Sequence, residues 1–78
     1  ASEVRGLANS SLGEIYFRKT DFKTALKYYQ AAAKENLKNR ALVEYRMAWC
    51  HLNMGKSAQA TSMLVRLLKN ADKLGVDD

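Results

Sequence analysis

Proline is absent from the 78 residues, and only one cysteine, one histidine and one tryptophan occur. With 47% hydrophobic and 27% charged residues, a proline-free chain suits a helical globular fold rather than a disordered one. A single cysteine excludes an internal disulfide and says little about redox compartment. With no second His or Cys, a thiolate–imidazole zinc set cannot be assembled either. No apolar run approaches the roughly 20 residues that span a bilayer, so direct membrane insertion is not expected, and no signal-peptide pattern opens the chain. The first residue is Ala1 rather than Met, which suggests a piece of a longer protein. The length allows one small domain with a thin core, since chains of this size bury only about 60–65% of their unfolded surface. The net charge of +5 permits an acidic partner without establishing one.

What is present is helical periodicity. Val4, Leu7, Ala8, Leu12, Ile15 and Tyr16 recur at spacings of three and four, which places them on one face of a first helix. Ser2 is its expected N-cap, with Glu3 in the first turn. Gly13 inside that helix costs about 1 kcal/mol relative to Ala. Close approach of a second helix accounts for it, and Ala25 is the small residue expected opposite. Lys19 to Phe22 form a turn in which Asp21 caps a second helix, whose apolar face is Phe22, Ala25, Leu26, Tyr29, Ala32 and Ala33. Asn36 to Asn39 end that helix and cap the third. Helix three, about 40–54, is apolar around nearly its whole circumference, as a helix with neighbours on several sides should be. Gly55 stops it, and Ser57 is expected to cap helix four, which carries Ala60, Met63, Leu64, Leu67, Leu68, Ala71 and Leu74. Gly75 and Val76 read as a left-handed cap at its end.

Leu12-Gly13, Tyr16, Ala25, Tyr29 and Ala32 stand at the spacing of a tetratricopeptide repeat (TPR). Met47-Ala48, His51, Ala60, Leu64 and Leu67 repeat that pattern 35 residues on, in weaker form. The chain thus resembles TPR proteins over about residues 6–74, with repeats at 6–39 and 41–74 and a tail at 75–78 of a single domain 1–78. It departs from the family pattern at Asn9 and Leu37 in the first copy and at Glu44 and His51 in the second. The small-residue pairs Gly13/Ala25 and Ala48/Ala60 carry the comparison. Glu44 and His51, seven apart, are expected on a face turned towards an absent neighbour. The resemblance implies an all-α fold: two helix–turn–helix repeats whose four antiparallel helices form a right-handed superhelical stack. It also implies a non-catalytic interaction module with no cofactor and a protein partner. The run from Tyr45 to Gly55 is similar to TPR segments of bacterial cell-envelope proteins, which leaves localisation open between the periplasm or envelope and the cytoplasm.

TPR arrays bind extended peptides or partner helices along the first helix of each pair. Carried over by position, that lining is Leu7, Ser10, Ser11, Glu14, Phe17 and Arg18, then Leu42, Tyr45, Arg46, Trp49, Leu52 and Asn53. Phe17, Arg18, Tyr45, Arg46, Trp49, Leu52 and Asn53 form the candidate partner-binding groove. Tyr45, Trp49 and Leu52 project together at spacings of four and three. Trp49 is either a groove anchor or simply core. A separate apolar stripe of Val43, Met47, Cys50 and Met54 on the same helix favours the groove. Ser10 and Glu14 occupy slots where the family's carboxylate clamp would want cationic or amide groups, which argues against a chaperone-tail ligand.

Cys50 and His51 are neighbours on a helix and point about 100° apart, so they do not face each other as a dyad. No nucleophile, base and oxyanion-hole constellation and no phosphate loop is present, and no enzyme activity is expected. Lys23, Lys27 and Lys34 form a basic stripe, but acids are interspersed and no aromatic interleaves, so a solvated face is expected rather than nucleic-acid binding. Two repeats without a polar capping helix leave apolar surface around Leu64, Leu67, Leu68 and Ala71, a self-association face expected to be covered by another copy or by the rest of the parent protein. The alternative function is accordingly a structural spacer or homo-oligomerising element of a larger complex.

Overall fold

The computed structural model describes residues 2–35 and 38–74, with side chains described at 3–35 and 38–70. Four helices follow in order: α1 (Ser2–Arg18), α2 (Phe22–Ala33), α3 (Arg40–Asn53) and α4 (Ser57–Leu74). Among the described residues there is no strand. Each helix packs on the next, α1 on α2, α2 on α3 and α3 on α4, in a flat stack of 34 × 32 × 19 Å. This is an all-α, TPR-like helical stack.

The two helical pairs end their first helices identically. After α1 the Thr20 amide donates to the Phe17 carbonyl at 3.0 Å and the Asp21 amide to the Tyr16 carbonyl at 2.9 Å. After α3 the Gly55 amide donates to the Leu52 carbonyl at 3.1 Å and the Lys56 amide to the His51 carbonyl at 2.8 Å. Both are the crossed bonds of a Schellman motif, which needs a left-handed residue at its centre. Thr20 (φ 61°) and Gly55 (φ 79°) supply it. The next residue in each pair begins the second helix differently. Asp21 accepts from the Thr24 amide at 3.3 Å, as its N-cap role requires. Ser57, expected as a cap, is instead the first helical residue, and the carbonyl of Lys56 accepts the first bond, from the Ala60 amide at 3.1 Å. Asn39 stands at the N-cap of α3, yet its side chain makes no capping bond and its Oδ1 is enclosed without a partner. Asn36, Leu37 and the expected cap at Gly75 and Val76 lie outside the described residues.

The core is built by α2 and α3. Ala25, Leu26, Tyr29 and Ala32 from α2 join Val43 and Cys50 from α3, all nearly or fully inaccessible. Tyr16 and Phe17 close this cluster from α1. Ala48 and Ala60, both buried, belong to the second pair of helices. Gly13 is explained by a closer neighbour than Ala25: a methyl group there would lie 2.7 Å from Cδ1 and Cε1 of the Tyr29 ring. The ring of α2 thus lies directly on the backbone of α1, where any side chain would displace it.

The apolar stripe of α1 is only partly used: Tyr16 packs on the core cluster and stacks on Tyr28 of α2 with ring centroids 5.6 Å apart. Val4, Leu7, Leu12 and Ile15 are 37–66% exposed, and Ala8 is open too. The buried positions are Gly6 and Gly13, so α1 docks through its thinnest side.

Candidate partner-binding site

Three helices are drawn together by one carboxylate. Glu14 Oε2 on α1 accepts from the Tyr29 hydroxyl on α2 at 2.5 Å and from Arg46 Nε on α3 at 2.9 Å. The Arg46 guanidinium also lies over the Phe17 ring, 5.2 Å from its centroid. Phe17 in turn meets Phe22 and Tyr29 edge-on, at 5.4 and 6.5 Å between centroids. The Tyr29 hydroxyl therefore has its proton held firmly. Burial raises its pKa above the ordinary value, and the adjoining Glu14 charge raises it further.

Beside this network lies an open hollow of about 510 Å³, lined by Phe17, Thr20, Phe22, Tyr45, Arg46, Trp49 and Asn53. Its wall is α3, one turn after another: Tyr45 and Trp49 meet edge to face with centroids 6.2 Å apart. Trp49 is 39% exposed, which removes it from the core. Asn53 donates from Nδ2 to the Trp49 carbonyl at 2.8 Å and so faces the same end of the helix. The floor is aromatic and the one charged group is Arg46, already held by Glu14.

Of the residues carried over by position, Phe17, Tyr45, Arg46, Trp49 and Asn53 come together around this hollow. Arg18 and Leu52 are exposed but do not line it. Leu7, Ser11 and Leu42 are exposed elsewhere on α1 and α3. Glu14 sits behind the hollow, as the anchor of Arg46. Thr20 and Phe22, from the turn and the start of α2, complete the rim, which the carry-over from the first helix of each pair does not include. The sequence carries no clear signal for them, because a β-branched threonine is the residue least expected in the left-handed conformation that folds Phe22 back onto Phe17.

Cys50 and His51 lie away from the hollow. The Cys50 thiol is fully buried, and burial, only partly offset by Arg46, pushes its pKa up to about 11. His51 is half-buried rather than open to solvent, as is Glu44, and its Nδ1 is enclosed without a partner. Burial and the neighbouring Lys56 charge both lower its pKa. Among the described residues no three His, Cys, Asp or Glu side chains gather as a metal set would require, and no helix is long and apolar enough to cross a membrane.

On the far side of the stack, Leu64 and Leu67 are half-buried on the face of α4 that also holds Ala60, whereas Leu68 is 75% exposed. The Ala71 side chain lies outside the described residues.

Stacked antiparallel pairs closed by repeated turns define a helical-repeat protein with a lateral aromatic hollow. Comparison with protein families narrows the class: the tetratricopeptide repeat family matches residues 43–73. No curated protein and no solved structure matches the chain. The match supports a TPR-like chain, and with it the general role of a protein–protein interaction module. It falls on the second copy, the one whose spacing pattern departs further from the family. Ala48 and Ala60, the small pair of that copy, are both buried.

Proposed function

We propose that this chain is a non-catalytic interaction module that takes an extended peptide or a helix of a partner protein into the hollow between Phe17, Tyr45 and Trp49. The observation that carries this reading is the exposure of the Tyr45–Trp49 pair beside a preformed hollow with an aromatic floor. Amphipathic rings with few rotatable bonds lose little entropy on binding and dominate the energetics of small interfaces. Arg46 is held in place by Glu14 and Phe17, so it can offer its remaining guanidinium protons to a partner's carbonyls or carboxylates without reorganising.

The experiment uses the single tryptophan as its own reporter. A partner captured by the wild-type chain should shield Trp49 from acrylamide quenching, and Trp49→Ala should weaken capture by about tenfold or more while leaving the melting temperature nearly unchanged. Capture that survives Trp49→Ala, with Trp49 as quenchable in the complex as in the free chain, would overturn the reading.

A second reading, a spacer that associates with itself, is favoured by one separate observation: apolar side chains are bare at both ends of the stack, on α1 and on α4.

A further inference from the structure

The bare stripe of α1 has a buried counterpart inside the chain. Thr20 and Gly55 fix the structural repeat at 35 residues, and that shift carries Ala8, Leu12 and Ile15 of α1 onto Val43, Met47 and Cys50 of α3. Val43 and Cys50 are 1% and 0% exposed, buried in one cluster with Leu26 of α2, against which Met47 and Ala33 also pack. The same shift carries Leu26 and Ala33 onto Thr61 and Leu68 of α4, both open to solvent, Leu68 at 75%. Each end of the stack therefore presents one half of an interface whose two halves already meet between α2 and α3.

We propose that copies of this chain stack end to end, the Thr61–Val65–Leu68 stripe of α4 in one copy covering the Ala8–Leu12–Ile15 stripe of α1 in the next. The occupant is a second copy because the contact would continue one already made inside the chain: Leu26 of α2 is buried in one cluster with Val43 and Cys50 of α3, and Ala33 and Met47 pack against it. At the same repeat positions α4 carries Thr61 and Leu68 in the open, and α1 leaves Ala8, Leu12 and Ile15 bare. Neither stripe carries a charge. Such a contact joins unlike surfaces, so it does not close on itself in a pair and extends into open assemblies. It rests on the self-association reading alone and is independent of what the hollow binds.

Sedimentation of wild type, Ile15→Glu, Leu68→Glu and an equimolar mixture of the two variants tests it, from about 1 µM to about 1 mM. Wild type should grow progressively beyond a dimer as concentration rises. Each variant alone has one blocked end and should remain a monomer, whereas the mixture should give a dimer of twice that mass, since each variant supplies the end that the other has lost. Wild type that stays monomeric throughout would overturn the self-association reading and this inference with it. Wild type that associates while either single variant still dimerises would keep self-association but overturn the end-to-end geometry in favour of a symmetric α1–α1 or α4–α4 contact. Both positions are exposed, so retained helicity by circular dichroism is the control; Ala8→Glu or Val65→Glu, on the same stripes and also exposed, replaces a variant that loses it.

Discussion

Thr20 and Gly55 stand at the same place in the two helical pairs, each in the left-handed conformation, each at the centre of the same pair of crossed backbone bonds. Glycine adopts that conformation freely, whereas a β-branched threonine does so against its side-chain sterics, at a cost of about 1 kcal/mol. Thr20→Gly should therefore raise stability by about 1 kcal/mol, and Gly55→Ala should lower it by a similar amount although nothing lies within 4 Å of the added methyl. Urea unfolding midpoints with unchanged m-values check both.

Gly13→Ala gives a test of sign. Helix propensity alone favours alanine by about 1 kcal/mol. The methyl would sit 2.7 Å from the Tyr29 ring, which is fully buried and cannot swing away. Overpacking of this kind costs about 1–3 kcal/mol, so we expect net destabilisation, read as a fall in Tm. A rise in Tm would show that the ring yields and that the tight α1–α2 contact is not what holds the pair together.

Glu14→Ala removes the acceptor of both the Tyr29 hydroxyl and Arg46. The Glu14–Arg46 pair is roughly one-third exposed and contributes about 1 kcal/mol or less on its own. Stranding the buried hydroxyl adds about 1–2 kcal/mol, so Glu14→Ala should cost more than Arg46→Ala. A double-mutant cycle on Glu14 and Tyr29→Phe should recover most of the coupling.

Stability should form a plateau bounded on both sides by titration. Folding lowers the His51 pKa, so the unfolded chain binds more protons as the pH falls, and the stability present above about 6.5 is lost on acidification. Folding raises the Cys50 pKa from 9.0 to about 11, so the unfolded chain releases its proton first, and stability declines as the pH rises from about 9 towards 11. Tyr29, raised in the same sense, steepens the alkaline limb. Tm measured across this range should flatten at its acid edge in His51→Gln and become shallower at its alkaline edge in Cys50→Ala.

Adding the missing cap should stabilise α4. Lys56 precedes it where Asp21 precedes α2, and it makes no side-chain cap of that kind among the described bonds. Lys56→Asp should gain about 1 kcal/mol, and it also removes the charge that adds to burial in lowering the His51 pKa. A higher Tm together with a shallower acid limb is the expected pair of results.

Much of this architecture was written locally. Periods of three and four set the four helices, Asp21 and Gly55 mark a start and a stop through their own side-chain and backbone chemistry, and small residues at 13, 48 and 60 mark where helices approach. Those signals act within a few residues, so they can be read without knowing what lies across the molecule. Which face of each helix is inside is a different question, and α1 shows why. Most of its regular apolar stripe is left bare, and Gly13 admits the Tyr29 ring more closely than any side chain would allow. The same holds for the hollow: Phe22 joins Phe17 only after the left-handed turn at Thr20, and Glu14, Tyr29 and Arg46 meet only when three helices converge. Contacts between residues 15 and 32 positions apart depend on the helix packing distances, and those are decided by side-chain volume in three dimensions.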